Sequence, residues 1–225
     1  MYIASNIASI LQSIPSGVKL VAVSKTKPVV DILEAYHAGQ KAFGENKVQE
    51  LAQKFEALPK DIEWHFIGHP QTNKIRFIAP FVHLIHGVDS LKLLQVIDGE
   101  GGRIKRKIAC LLQFHIANES TKFGLNTEEA EEILNNASFR QLKNIEIAGV
   151  MGMATFTDDE EQIRSEFRTL KSIFETLKNR HFKDNKNFNV ISMGMSDDYP
   201  IAIEEGSTMV RIGSKIFGER KYQHN

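Results

Sequence analysis

The stretch IEIAGVMGM, residues 145–153, is apolar at nearly every position. A strand with one solvated face alternates apolar and polar residues, whereas a nearly continuous apolar run is typical of a parallel sheet covered on both faces. Seven other short runs resemble it: KLVAVS (19–24), KAFGE (41–45), EWHFIG (63–68), HLIHGV (83–88), KIACLLQFHI (107–116), NVISMG (189–194) and MVRIG (209–213). We interpret these eight runs as strands.

Segments of helical period lie between the runs. The clearest covers about residues 160–180, where apolar side chains recur at spacings of three and four and form one stripe. Thr157 followed by Glu160 predicts a capping box at its start. The stretches DGEGGRIKRK (98–107) and DNKNFN (184–189) are rich in residues that interrupt helices, so we expect an exposed loop in each.

The alternation of strands and helices decides the fold class. About eight strand–helix units fill the 225 residues with no linker between them. This predicts a single α/β domain over residues 1–225, a (β/α)₈ TIM barrel preceded by one extra helix. A doubly wound open sheet is the rival fold, but no G-x-G-x-x-G follows the first run.

Composition limits the possible partners and the compartment. The chain has 28 Lys plus Arg and 28 Asp plus Glu, so no net charge attracts nucleic acid or an anionic membrane. The N-terminus lacks the pattern of a signal peptide, and no apolar run approaches the roughly 20 residues that span a bilayer. The single cysteine, Cys110, is expected to be a reduced core residue. We therefore expect a cytoplasmic protein.

In barrels of this kind, binding and catalytic residues lie at the carboxyl ends of the strands. Lys25 stands directly after the first run, on the same face as Val21 and Val23 if the extended geometry continues. Loss of hydration at an apolar barrel mouth would favour the neutral amine, a nucleophile toward a carbonyl. The alternative is that Lys25 reaches solvent and only its stem packs. Lys27, close by, is expected to be a solvated loop residue.

Two segments near the C-terminus suggest an anion site. SMGMSDD (192–198) and STMVRIGSKIFG (207–218) each run from a strand into glycine or serine and then toward a helix start. A phosphate group needs accessible backbone N–H groups and hydroxyl donors, often at a helix start. Gly194 and Gly213 would let the backbone approach, and Ser192 and Ser214 offer hydroxyls. The alternative is that these residues only form turns and caps.

The histidines give no clear metal signal. His65 and His69 are four residues apart, but they span a strand and its loop and lack the helix and glutamate of a zinc protease. We expect no metal ion, and packing or hydrogen bonding for His65, His69, His83, His86 and His115.

The assembled motifs resemble the pyridoxal phosphate homeostasis protein family, whose members are PLP-binding, alanine-racemase-like barrel proteins (PLP is pyridoxal 5′-phosphate). The resemblance runs over nearly the whole chain, through AVSKTKP, FGENKVQE, WHFIGHPQTNK, ESTKFG, GVMGM, SMGMSDD and GSTMVRIGSKIFGER. Two departures, Pro70 and Phe123, flank loops expected at the rim of the pocket.

The resemblance implies a role for individual residues. Lys25 would hold PLP as a Schiff base, and Arg211 would lie near the pyridine nitrogen. Asn46 would line the pocket. The residues implied at or beside the phosphate are Ser192, Met193, Gly194, Gly213 and Ser214.

The resemblance also implies a function. The related two-domain racemases take a second base, a tyrosine, from an added β-domain that this sequence does not continue into, so we expect no catalytic residues here. The expected role is to store, buffer or carry PLP, as a monomer, with PLP-dependent apo-enzymes as possible recipients. Two alternatives stay open: a single-domain PLP-dependent racemase or lyase, and a cofactor-free Schiff-base aldolase acting on a sugar phosphate.

Overall fold

The computed structural model describes residues 2–118 and 123–219. Eight parallel strands close into a barrel in chain order, and the last pairs with the first. The strands are β1 Lys19–Val23, β2 Ala42–Glu45, β3 Glu63–Phe66, β4 Leu84–Val88, β5 Ile108–Gln113, β6 Ile145–Met151, β7 Val190–Ser192 and β8 Met209–Ile212. Each predicted run contains one strand, so the (β/α)₈ TIM barrel is confirmed.

Helices surround the barrel and connect its strands. The first of them, before β1, is the predicted extra helix, and it buries Ile3, Ile7 and Ile10. The α-helices are α1 Tyr2–Ser13, α2 Val29–His37, α3 Val48–Ala57, α4 Ile75–Ile78, α5 Leu91–Arg103, α6 Thr127–Asn135, α7 Ala137–Arg140, α8 Glu160–His181, α9 Tyr199–Glu204 and α10 Ser214–Phe217, and a 3₁₀ turn covers Thr72–Lys74. Within the described ranges, no helix combines the length and apolarity needed to cross a membrane.

The side chains of the strands alternate between the side that faces the helices and the barrel interior. Trp64 and Phe66 of β3 belong to the large core between barrel and helices. A smaller apolar cluster that includes Val21, Leu111 and Met209 occupies part of the barrel interior. Because both faces of the sheet are covered, the strands need apolar residues at successive positions. This is why their sequences do not alternate.

The predicted loop at 98–107 is wrong for its first six residues, which form the end of α5. Glycine lowers helix propensity, and its frequency here suggested a loop. Packing explains Gly101: a Cβ atom at this position would lie 2.7 Å from the carbonyl oxygen of Arg106 and 2.8 Å from that of Asn144. The helix accepts glycine there because neighbouring backbone comes so close. The second predicted loop, 184–189, is confirmed.

The predicted start of α8 is also wrong in detail. The N-cap is Asp159, whose side chain accepts a hydrogen bond from the backbone N–H of Gln162 at 3.1 Å. The Thr157 hydroxyl instead accepts from the backbone N–H of Asp159 at 3.2 Å. The helix therefore begins at Glu160, as expected, but with a different capping residue.

Cys110 is fully buried in β5, as expected of a core residue. Burial raises the pKa of its thiol, so the reactive thiolate is disfavoured. We expect native protein to leave Cys110 unmodified by a chromogenic disulfide reagent and urea-unfolded protein to react with one equivalent. Stoichiometric reaction of the native protein at neutral pH would contradict this burial.

Candidate functional site: the cavity at the carboxyl ends of the strands

A cavity of about 440 Å³ opens at the carboxyl ends of the strands. Residues that are far apart in the sequence, each shortly after the end of a strand, line it together: Lys25 after β1, Asn46 after β2, Gly68 after β3 and Gly213 after β8. The volume lies within the range of about 300–1,000 Å³ that is usual for small-molecule sites. The cavity is therefore large enough for a cofactor.

Lys25 lies in the wall of this cavity, together with Val23. The strand ends at Val23, and the chain turns at Lys25 and Thr26. Val21 lies inside the barrel, so the alternation expected from the sequence carries Lys25 to the mouth. Thr26 has φ +66°, a left-handed conformation that non-glycine residues adopt rarely.

A largely buried ion-pair network forms hydrogen bonds to the backbone of this turn. The ammonium of Lys54, on α3, donates to the carbonyl oxygen of Ser24 at 2.8 Å, to Glu45 Oε1 at 2.8 Å and to Glu50 Oε1 at 2.6 Å. Glu50 Oε1 also accepts from the backbone N–H of Thr26 at 2.6 Å. Ser24 and Thr26, the two residues that flank Lys25, are therefore both hydrogen-bonded to members of this network.

Within this network, the carboxyl group of Glu45 is the one whose charged form is disfavoured by burial. Its side chain is fully buried, and burial raises the pKa of its carboxyl group, an effect that the charge of Lys54 partly opposes. Ser24 donates its hydroxyl to Glu45 Oε1 at 2.6 Å. The predicted run KAFGE (41–45) placed Glu45 at a strand end, but Lys54 was missed, because the sequence of the ten-residue helix that supplies it shows no sign of a buried lysine.

Lys27 lies in a loop, as predicted, but the prediction that it is solvated is wrong. Its ammonium donates to three backbone carbonyl oxygens, those of Phe217 at 2.9 Å, Gly218 at 3.0 Å and Glu219 at 3.1 Å. It therefore joins the β1 turn to the end of α10 instead of being solvated. Lys27, the second lysine of SKTK, therefore stabilises the contact between the β1 turn and the end of α10.

Arg211 points from β8 into the barrel, where its side chain is almost fully buried. Its guanidinium donates to Ser192 Oγ at 2.6 Å and to the carbonyl oxygen of Gly152 at 3.1 Å. Burial lowers the pKa of Arg211 to about 10, and the charge of Asp198 opposes that effect. The guanidinium is still charged at neutral pH, and Arg211 also borders the cavity.

A hydrogen-bonded chain continues from Arg211 into the barrel. Ser192 Oγ is 3.0 Å from His86 Nδ1, and His86 Nε2 is 2.9 Å from His65 Nδ1. Both imidazoles are completely buried, and burial lowers the pKa of each far below its ordinary value. Hydrogen bonding is thus confirmed for these two histidines, and the chain orients the guanidinium at the cavity floor.

The side of the cavity formed by the last two strands offers neutral donors. Ser196, Gly213 and Ser214 lie together in the wall, and the backbone N–H of Gly213 donates to Ser196 Oγ at 3.3 Å. A Cβ atom at Gly213 would come within 3.2 Å of the Val23 carbonyl oxygen. Glycine therefore permits the close approach of this rim to the end of β1. Sequence reasoning passed over Ser196, although it stands inside the SMGMSDD motif.

Ser192, Met193 and Gly194 are not among the residues that line the cavity. The Met193 N–H donates to the carbonyl oxygen of Met209, and the Gly194 carbonyl oxygen accepts from the Arg211 N–H at 2.9 Å, so the barrel wall continues to Gly194. Gly194 has φ +96°, and a Cβ atom there would lie 2.7 Å from Ala202 Cβ. Its glycine is explained by a turn and by packing.

The remaining wall combines polar and aromatic groups. Asn46 lines the cavity, as the resemblance implied, and Gln113 does so without having been expected. At the rim, the ring of Phe123 stacks on that of His69, with centroids 4.2 Å apart. Phe123 is one of the two departures from the family pattern, and its expected position at the pocket rim is confirmed.

Comparison with known proteins agrees with this geometry. Residues 2–221 match the family model of the alanine racemase N-terminal domain. The pyridoxal phosphate homeostasis protein of Aquifex aeolicus (strain VF5) is 38% identical, over 91% of this chain and 88% of its own length. That of Haemophilus influenzae (strain KW20 / Rd) is 40% identical, over 91% and 86%.

Solved structures show the same relationship. PipY of Synechococcus elongatus PCC7942 is 33% identical, and the match covers 96% of this chain and 100% of PipY. The TM-score is 0.89 for the form of PipY without PLP and 0.85 for the form with PLP bound. An alanine racemase of Clostridium difficile 630, 14% identical with a TM-score of 0.73, shares the fold alone. In sequence and in architecture, this chain belongs to the pyridoxal phosphate homeostasis protein family.

Proposed function

We propose that this chain binds PLP in the mouth of the barrel, as a Schiff base on Lys25, and that it stores and delivers the cofactor in the cytoplasm. One observation carries the proposal: a lysine amine, a buried guanidinium and a rim of hydroxyl and backbone N–H donors border the same cavity. PLP has an aldehyde, a pyridine nitrogen and a phosphate, and each of these three groups has a matching partner in the cavity wall. PipY, at 33% identity, has been solved with PLP bound.

Lys25 is the residue proposed to hold the aldehyde. Its amine adds to the aldehyde carbon, a C=N bond replaces the C=O bond, and one water molecule leaves. Lys27 is unsuited to this role because its ammonium is held by three carbonyl oxygens. Bound PLP would supply an electron-withdrawing ring beside the imine.

Arg211 is proposed to face the pyridine nitrogen. A guanidinium donates hydrogen bonds and does not release its proton in a protein, so it would leave that nitrogen unprotonated. The ring is then a poorer electron sink, which weakens carbanion chemistry at an amino acid. Such a contact would slow carbanion chemistry, and a measurement of turnover separates a carrier from a racemase or lyase.

For the phosphate we propose Ser196, Gly213 and Ser214, which border the cavity. Ser192, with Met193 and Gly194, would act indirectly by fixing the β7 wall and the guanidinium of Arg211. Among the residues implied by the family resemblance, this assignment retains Gly213 and Ser214 at the phosphate and adds Ser196.

Replacing Ser196 and Ser214 together by alanine is expected to weaken PLP binding by about tenfold or more for each lost hydroxyl. A hydrogen bond to a charged group contributes about 1.5–3 kcal/mol, which sets this scale. Equilibrium titration with PLP, in an amine-free buffer without reductant so that the imine forms reversibly, measures the change. Ser192→Ala and Ser196→Ala are compared singly: an equal loss in the two variants would instead support phosphate contact by Ser192.

Reconstitution tests the proposal as a whole. Purified protein is incubated with PLP, reduced with borohydride and digested, and the peptides are mapped by mass spectrometry. We expect one pyridoxyl group, on Lys25. Labelling spread over surface lysines, or none, would refute the site. Turnover of an amino acid by the reconstituted protein, lost in Lys25→Ala, would instead support the enzyme alternative.

A further inference from the structure

A second group of polar side chains lies at the opposite pole of the barrel, where the strands begin. Glu63 is the first residue of β3, His65 is two positions further on the same face, and His83 directly precedes β4. One carboxylate oxygen of Glu63 and one ring nitrogen of each histidine lie within 4.8 Å of one another. Two imidazoles and one carboxylate are the ligand set of many zinc sites.

His65 contributes an independent observation. Its Nδ1 is engaged with His86 Nε2 at 2.9 Å, so Nε2 is the nitrogen left for a ligand. That Nε2 is buried, and within residues 2–118 and 123–219 it has no hydrogen-bond partner. An unpaired buried polar atom costs about 1–3 kcal/mol, and a metal ion would remove that cost.

The chain behind His65 matches the outer shell of a metal site. A metal-bound histidine usually donates its other ring N–H to a neighbouring acceptor, which fixes its tautomer. With the Nε2 lone pair of His65 on a metal, Nδ1–H would donate to His86 Nε2, and His86 Nδ1–H would donate to Ser192 Oγ. Both distances, 2.9 and 3.0 Å, suit these hydrogen bonds.

Lys19 is the competing cation. Its ammonium pairs with Glu63 Oε2, and the two side chains are 38% and 37% exposed. An ion pair this accessible contributes little to stability, so a divalent ion can displace the ammonium at low cost.

We propose that Glu63, His65 and His83 bind a divalent transition-metal ion of the Zn²⁺ class, with water as the fourth ligand. Tetrahedral coordination at about 2.0–2.1 Å requires ligand atoms about 3.4 Å apart, so the side chains must draw together on binding. His83 is exposed and Glu63 is partly exposed, which lets these two move and gives the ion a path from solvent. His65 is the fixed member. This proposal departs from the expectation, drawn from the sequence, that the chain binds no metal ion.

Calorimetric titration of the purified chain with Zn²⁺ tests the proposal, with Co²⁺ absorbance as a report on tetrahedral geometry. We expect one saturable site. His83→Ala should weaken binding by more than about 100-fold, because loss of an outer-shell partner alone costs 10–100-fold. Lys19→Met should tighten binding, since it removes the competing ammonium. His37→Ala, at the exposed end of α2, is the matched control and should change nothing.

The outcomes separate this site from the cofactor site. Lys25→Ala should retain Zn²⁺ affinity, because Lys25 lies at the other end of the barrel. Absence of saturable binding, or affinity unchanged by both His83→Ala and Glu63→Gln, would overturn the proposal. Circular dichroism of the His83 variant shows whether the fold is kept, and the exposure of His83 favours that result.

Discussion

Lys25→Ala is expected to abolish the covalent retention of PLP completely. Without the amine there is no nucleophile to replace the aldehyde oxygen, so borohydride reduction should leave no pyridoxyl group on the 21–28 segment. Noncovalent binding through the phosphate rim should persist at lower affinity. Visible absorbance of the imine, followed by peptide mapping after reduction, measures both effects.

Lys27→Ala is the matched control, since it removes a second cavity-wall lysine two residues away. Its ammonium holds the carbonyl oxygens of Phe217, Gly218 and Glu219, so this variant should loosen the end of α10 but retain labelling at Lys25. If the Lys25 variant were still labelled and the Lys27 variant were not, the assignment of the two lysines would be reversed.

Lys54→Ala is expected to cost about 3–5 kcal/mol in the free energy of unfolding, as is usual when one member of a buried ion pair is removed. It would leave the fully buried carboxylate of Glu45 without its counter-ion and release the carbonyl oxygen of Ser24. Urea unfolding followed by circular dichroism measures the loss. The same variant should bind PLP more weakly, because the turn that carries Lys25 loses its anchor.

The pH dependence of this loss has a definite sign. A carboxyl group whose folded pKa is raised keeps its proton in the folded state where the unfolded chain has released it, so stability falls as pH rises through that window. Removing the ammonium of Lys54 removes an interaction that lowers the pKa of Glu45. The deficit of Lys54→Ala should therefore be smaller at pH 5 than at pH 8.

Two further variants isolate the buried pair. Replacing Lys54 by Met and Glu45 by Leu together should recover most of the lost stability, because apolar groups of similar volume often substitute for a buried ion pair. Lys41→Ala breaks the exposed pair with Asp61 and should leave the urea midpoint unchanged. A Lys54→Ala midpoint equal to that of the wild type would contradict the anchoring role.

Much of the barrel was predictable because its strands are short and covered on both faces. Each apolar run, such as 145–153, contained its strand within a few residues of the expected ends. The features that were wrong depend on neighbours distant in sequence. Gly101 lies in a helix because the backbone of Asn144 approaches it, and no local pattern reports that contact.

The candidate site likewise has a part that local pattern predicts and a part that depends on contacts between distant segments. Lys25 could be placed at the mouth because side chains alternate along a strand and β1 stops two residues earlier. Ser192 lies within the apolar run 189–194 and Ser196 lies two residues after it, and local pattern does not show which hydroxyl reaches the cavity. The β7 wall is extended to Gly194 by hydrogen bonds to β8, which keeps Ser192 inside the barrel and brings Ser196 to the cavity.

The sequence by itself determined the order of strands and helices, the apolar faces and the lysine at the first strand end, because these follow from local periodicity along the chain. The tertiary structure alone decided that Lys54 holds the Lys25 turn and that Glu63, His65 and His83 meet at the far pole. The reason is physical: closing the barrel joins residues through strand register and burial, and these depend on contacts between segments that the linear pattern does not encode.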